Sequence, residues 1–229
     1  MTDKIKAIIF DMEGVLIDSS KHIWNSFNLI FKESGFQADN NFIKKHTGMS
    51  LRDQLERIST EFGITYDLGD FQKRALQTQL KLMKKDLKEN NVLKKILDKL
   101  KKMNLKIAVA TSSTKIRAEK ILEMLGIKSK FEVIITAEEV KKHKPHPEIY
   151  LETAKRLKLK PRECMVVEDA VNGVISGKRA KMKVIGLITK FHEKADLKEA
   201  KADFIINSLG EIPKLLKKEL NLSKNKKLK

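Results

Sequence analysis

Six short apolar runs divide this chain: residues 5–10, 107–110, 133–135, 165–167, 184–187 and 204–206. They are rich in isoleucine and valine and too short for helices, so they predict fully buried strands. Between the later runs, apolar residues recur at helical spacing over about 116–125, 147–157 and 171–180. Strand and helix alternating in this way predict a parallel sheet wrapped by helices. Right-handed crossovers then carry the C-terminal ends of all the strands to one edge.

Residues 19–88 break that rhythm. They contain no strand-like run, but they carry helical stripes such as Ile23/Phe27/Ile30/Phe31 and Leu76/Leu80/Met83/Leu87, punctuated by Gly35, Gly48, Gly63 and Gly69. This pattern predicts a helical bundle inserted after the first strand, with return to the sheet through a helix near 92–103. The expected fold class is α/β: a Rossmann-like parallel sheet core flanked by helices, with an inserted α-helical cap. The core takes residues 1–17 and 89–222, the cap 18–88, and a basic, disordered tail 223–229. Short hinges at 17–19 and 88–91 join the two parts.

A chain of 229 residues with 41% hydrophobic and 34% charged residues has a globular balance. No apolar run approaches the roughly 20 residues needed to span a bilayer, and no membrane association is expected. The one cysteine, Cys164, lies in an apolar run and reads as a buried thiol. With no internal disulfide available, a reducing, cytoplasmic setting is expected. The net charge of +18 raises the question of nucleic acid. However, the lysines are spread along the chain and often lie near glutamates on helices, which favours a solvated surface that also attracts anionic substrates.

Several of the strand runs end in residues capable of chemistry, where open parallel sheets place their ligand sites. Asp11 closes the first, followed by Met12-Glu13-Gly14. A carboxylate there can attack phosphorus, and Glu13 can exchange a proton; a helix cap or turn reads equally from those letters. Thr111-Ser112-Ser113 closes the second and offers hydroxyls and amides to a phosphate, or a plain N-cap. Pro145 and Pro147 frame Lys144 and hold it rigidly. His143 and His146, beside it, read as surface residues. Glu168-Asp169 closes the fourth; with Asp11 it provides three hard oxygen ligands suited to Mg²⁺.

Taken in order, Phe-Asp-Met-Glu-Gly-Val-Leu-Ile-Asp-Ser, Ala-Thr-Ser-Ser, Lys-Pro-His-Pro-Glu-Ile-Tyr and Val-Glu-Asp-Ala-Val-Asn-Gly resemble the four motifs of the haloacid dehalogenase-like superfamily. They are closest to its helical-cap branch, which holds beta-phosphoglucomutase-like and phosphoglycolate phosphatase-like enzymes. The resemblance implies a Mg²⁺-dependent phosphatase acting on a small phosphorylated metabolite through an aspartyl-phosphate. Asp11 would be nucleophile and metal ligand, and Glu13 general acid and base, with its backbone carbonyl on the metal. Thr111 and the Ser112 amide would hold the phosphoryl group, Lys144 would balance charge, and Glu168 and Asp169 would complete the metal site. A monomer or weak dimer is expected.

Glu13 departs from the pattern, which has aspartate there. One extra methylene displaces the carboxyl by about 1.5 Å, a shift that can cost on the order of a hundredfold in rate. Slow turnover and a longer-lived phospho-enzyme follow. The segment Thr47-Gly48-Met49-Ser50-Leu51-Arg52 resembles the substrate-facing loop of the cap, which would close over the site. Arg52 is either a contact for a second anionic group or an ordinary surface arginine. Trp24 and Phe27 read as core packing. The mutase sub-branch has histidine where this chain has Ile23, with His22 beside it, which favours a phosphatase over a phosphotransferase. The remaining alternative is an anion- or nucleic-acid-binding protein with little or no activity.

Overall fold

The computed structural model describes residues 4–39, 42 and 51–225, with side chains as far as Lys218. The chain divides into two compact units, 1–18 with 89–229, and 19–88. The first is a six-stranded, all-parallel sheet in the order β3-β2-β1-β4-β5-β6. Its strands are β1 (Ala7–Phe10), β2 (Lys106–Ala110), β3 (Val133–Ile135), β4 (Cys164–Glu168), β5 (Lys183–Leu187) and β6 (Phe204–Ile206).

Every residue of β1 and β4 is buried. That explains the unbroken apolar runs: both faces of a central parallel strand are covered, so neither face needs polar residues. Alternate side chains serve opposite layers. Ala7 and Ile9 join Ala108, Val166 and Val184 in a cluster with Ile149, Tyr150 and Ala154, which come from a helix at Glu148–Arg156. Phe10 is also buried and meets Phe131 edge-on at 6.4 Å between ring centroids.

In the second unit α1 (Ser20–Phe31), α2 (Leu51–Phe62) and α3 (Leu68–Asp86) are described. Its core is aromatic. Phe71 lies 5.2 Å from Phe27 and 5.3 Å from Phe31, centroid to centroid, and Trp24 packs edge-on to Phe27 at 5.6 Å. Trp24 and Phe27 are buried, as core residues should be. Asp67 caps α3 by accepting the Asp70 amide at 2.7 Å. The stripe read on α3 is shifted: Phe71, Ala75, Gln79 and Met83 are the buried line, whereas Leu76 and Leu80 are half-buried. Phe71 draws the helix round because it reaches the aromatic cluster.

The sheet unit adds α4 (Asn91–Lys102), α5 (Lys115–Met124), α6 (Glu148–Arg156), α7 (Val171–Arg179), α8 (Lys194–Glu199) and α9 (Ile212–Asn225). The last runs to Asn225, as lysine, glutamate and leucine sustain helix once Ile212 and Leu216 have anchored its start, so the expected tail from residue 223 overlaps its end. Residues 226–229 lie outside the described residues, as does the 47–50 part of the loop read as substrate-facing. Among the described residues, no helix is long and apolar enough to cross a membrane.

Candidate active site

Strand register brings the acids together. Phe10 pairs with Val167 and with Val109, so the next residues along, Asp11 and Glu168, emerge side by side at the same edge. The Asp11 amide donates to Val167 O at 2.9 Å and fixes the turn-off point. The sheet's strand order also reverses between β1 and β4, the place where such folds open a crevice.

Two glycines make the space. Gly14 has φ +80°, a conformation glycine tolerates, and a Cβ there would overlap the Asp169 carboxylate. A Cβ on Gly173, in the first turn of α7, would overlap the carboxylate of Glu168. The motif glycines thus clear room for the acids that the same motifs supply.

Lys144 links the set. Its Nζ donates to Asp11 Oδ1 at 2.6 Å, Glu168 Oε1 at 2.7 Å and Ala110 O at 3.2 Å, and its side chain is only 8% exposed. The loop carrying it is held from two helices. Glu148, which opens α6, accepts the Lys141 and Lys142 amides, and Ser176 on α7 donates to His146 O at 2.7 Å. Glu168 also accepts the Tyr150 hydroxyl at 2.7 Å on Oε1, and the Asp169 and Ala170 amides on Oε2.

Three buried carboxylates face one ammonium, which leaves two negative charges uncompensated. Burial, reinforced by Glu168, pushes the Asp11 carboxyl well above the usual range despite Lys144, and pushes Asp169 up to about 7. Lys144 is held well above its ordinary value: burial opposes its charge, but Asp11 and Glu168 prevail. One oxygen from each of Asp11, Glu168 and Asp169 lies within 4.8 Å of the others. An all-oxygen donor set with two spare negative charges fits a hard divalent cation.

These residues line a cleft of about 350 Å³ with Glu13, Thr111, Ser112, Ser113 and Asn172. Thr111 is fully buried, and its Oγ1 accepts the Ser113 amide at 3.1 Å, curling the chain at the end of β2. Seven of the residues read from the sequence therefore meet in one place: Asp11, Glu13, Thr111, Ser112, Lys144, Glu168 and Asp169. Arg52, in the helical unit, is exposed on α2 and borders a cavity of about 200 Å³ with Glu56, Ser59, Thr65 and Tyr66. His143 is exposed and His146 partly so, in keeping with surface residues. His22 is buried and bonds Asp86 at 3.1 Å within the helical unit.

Sequence reading missed two residues. Tyr150 closes the Lys-Pro-His-Pro-Glu-Ile-Tyr motif, but no role was read for it. Arg117 sits in the buried face of α5 with Ala118, Ile121 and Leu122. A charge on an apolar stripe needs a partner, and that was the available signal. The partner is Glu13, whose Oε1 accepts Arg117 Nε at 3.1 Å, Nη2 at 2.9 Å and the Ser113 hydroxyl at 3.3 Å.

Known proteins resemble this chain along most of its length. The chain is 29% identical over 215 residues to the phosphorylated carbohydrates phosphatase of Thermotoga maritima, covering 91% of this chain and all of that one. It is 30% identical to the beta-phosphoglucomutase of Bacillus subtilis over 192 residues, 80% of this chain and 83% of that one. The crystal structure of beta-phosphoglucomutase from Clostridium difficile superposes with a TM-score of 0.76 at 27% identity, covering 96% and 98% of the two chains. Residues 8–187 match the family described as haloacid dehalogenase-like hydrolase. With the strand-end acids, the lysine that joins them and this match over most of its length, the chain belongs to the haloacid dehalogenase-like hydrolases.

Proposed function

We propose that this hydrolase is a Mg²⁺-dependent phosphatase that removes phosphate from a small phosphorylated metabolite, with Asp11 as nucleophile. The observation that carries the reading is the buried Asp11–Lys144–Glu168 network beside Asp169 at the mouth of the cleft. Lys144 holds Asp11 by one oxygen and so sets the direction of its carboxylate. Asp11 attacks phosphorus in line; the ester P–O bond breaks and its electron pair leaves with the alcohol oxygen, which takes a proton from Glu13. Water then attacks the aspartyl-phosphate, yields its proton to Glu13, and the electron pair of the broken P–O bond returns to Asp11.

The Thr111 hydroxyl and the Ser112 amide, which line the cleft, would bind non-bridging phosphoryl oxygens as charge builds on them. Asp11, Glu168, Asp169 and the backbone carbonyl of Glu13 would hold Mg²⁺, which when bound supplies positive charge and orientation to the phosphoryl group. Sugar phosphates are the favoured substrate class, in line with the name of the Thermotoga maritima relative. A single, buried cysteine suits a reducing cytoplasm.

The likeness to beta-phosphoglucomutases supports a second reading, phosphoryl transfer between two positions of a sugar. One experiment separates the two. A panel of sugar phosphates with Mg²⁺ is assayed for free phosphate and for isomerised sugar phosphate, with the parent and Asp11→Asn in parallel. Phosphate release that depends on Asp11 supports the phosphatase, and isomer without phosphate supports the transferase. Phosphate release unchanged in Asp11→Asn overturns both.

A further inference from the structure

We infer that Arg117 is the positioning residue for Glu13, and that arginine and glutamate form a matched pair in this chain. The inference rests on the phosphatase reading and deepens it. Glu13 carries the carboxylate that must give a proton to the leaving alcohol and later take one from the attacking water. A longer side chain has one more rotatable bond and would spread that carboxylate over several positions. Here it is held. Arg117 presents Nε and Nη2 together to the same oxygen, Oε1, and the Ser113 hydroxyl adds a third donor from the phosphate-binding turn.

Both partners are set for this. The Arg117 side chain is 10% exposed and rises from a helix face otherwise packed into the core, while Glu13 is 30% exposed at the rim of the cleft. Gly14 and the hydrogen bond from its amide to Ile17 O at 2.7 Å fix the backbone behind Glu13. An aspartate on that backbone would end about 1.5 Å short. Its oxygen would then lie beyond hydrogen-bond reach of a guanidinium now 2.9 Å from Oε1. The extra methylene that departs from the family pattern is therefore the length the guanidinium requires. Arginine suits the task because its planar fork constrains direction as well as distance.

In the covalent cycle Arg117 acts through Glu13. Water attacks phosphorus, the P–O bond to Asp11 breaks with its electron pair returning to that carboxylate, and the proton released by water goes to the carboxylate that Arg117 keeps in place. Losing the anchor should slow proton transfer and leave substrate binding alone.

The test is a double-mutant cycle on the full chain with p-nitrophenyl phosphate and Mg²⁺, using Arg117→Met, Arg117→Lys, Glu13→Asp and Arg117→Met/Glu13→Asp. The expected result is a kcat loss of tenfold or more for Arg117→Met with KM changed less than twofold, and partial recovery in Arg117→Lys. In the Glu13→Asp background the same substitution should cost at least fivefold less. Equal losses in the two backgrounds, or a rise in KM that matches the fall in kcat, overturn the inference while turnover that requires Asp11 leaves the phosphatase reading intact. If no variant shows turnover that requires Asp11, both fall. The Arg117 side-chain Nε–H resonance provides a check without substrate: it should shift or exchange faster in Glu13→Gln. A resonance indifferent to that change overturns the pair itself.

Discussion

The sheet unit and the helical unit are built on opposite terms. The sheet unit concentrates Asp11, Glu168, Asp169 and Lys144 in its interior, where burial disfavours their charges. The helical unit fills its centre with Trp24, Phe27, Phe31 and Phe71, whose rings meet edge-on or tilted and bury large apolar area. The comparison shows where this chain accepts instability. Charges that repel one another are kept at the place of chemistry and are supported by strands whose every side chain is buried, whereas the centre of the inserted helices is held by aromatic packing.

Five experiments press on that contrast. The largest effect is expected from Asp11→Asn, which removes the attacking oxygen and should lower phosphatase turnover by at least about 10³-fold. Its melting temperature should stay level or rise, because one of three crowded carboxylates is gone; a clear fall in calorimetry would mean that the acids stabilise the fold. Next come two truncations of similar size and different consequence. Lys144→Met strands the carboxylates without their partner and should cost about 3–5 kcal/mol in urea unfolding. Phe31→Ala should cost about 3–5 kcal/mol through the cavity it leaves, yet leave Mg²⁺ binding by the sheet unit within twofold, as read by isothermal titration.

A smaller effect is expected from the cation. At a hundred times its dissociation constant, Mg²⁺ should stabilise the parent by about 2.7 kcal/mol, and Asp169→Ala should lose most of that gain. An equal gain in Asp169→Ala would place the cation elsewhere. The smallest effect concerns Cys164. Burial pushes its thiol from 9.0 up to about 12, so the folded chain keeps a proton that the unfolded chain releases. Stability from this group is whole below pH 9.0 and declines as pH rises toward about 12. At pH 8 the thiolate fraction is about 10⁻⁴, and a disulfide reagent should label Cys164 only after denaturant is added.

Much of this was open to a reader of the sequence. The six strands and their parallel arrangement follow from short apolar runs separated by helical stripes, since burial on both faces demands such runs. Lys144, framed by prolines, and the paired acids Glu168 and Asp169 stood out because charges next to apolar runs need a reason. Other features were hidden because they depend on distance in space. The letters around Glu13 suggest only a longer acid in an aspartate's place, and those around Arg117 only a helix charge; the two lie 104 residues apart and meet solely through the fold. The same holds for Tyr150 with Glu168, and for the line of α3 that turns inward.

Composition and periodicity alone thus determined which segments are strands, which are helices, and which strand ends carry chemistry, because backbone geometry and burial act locally along the chain. Tertiary structure alone decided that Asp11 and Glu168 share one ammonium, that Gly14 and Gly173 yield space to the acids, and that Arg117 grips Glu13. Those outcomes depend on strand register and helix placement, to which no local stretch of residues is sensitive.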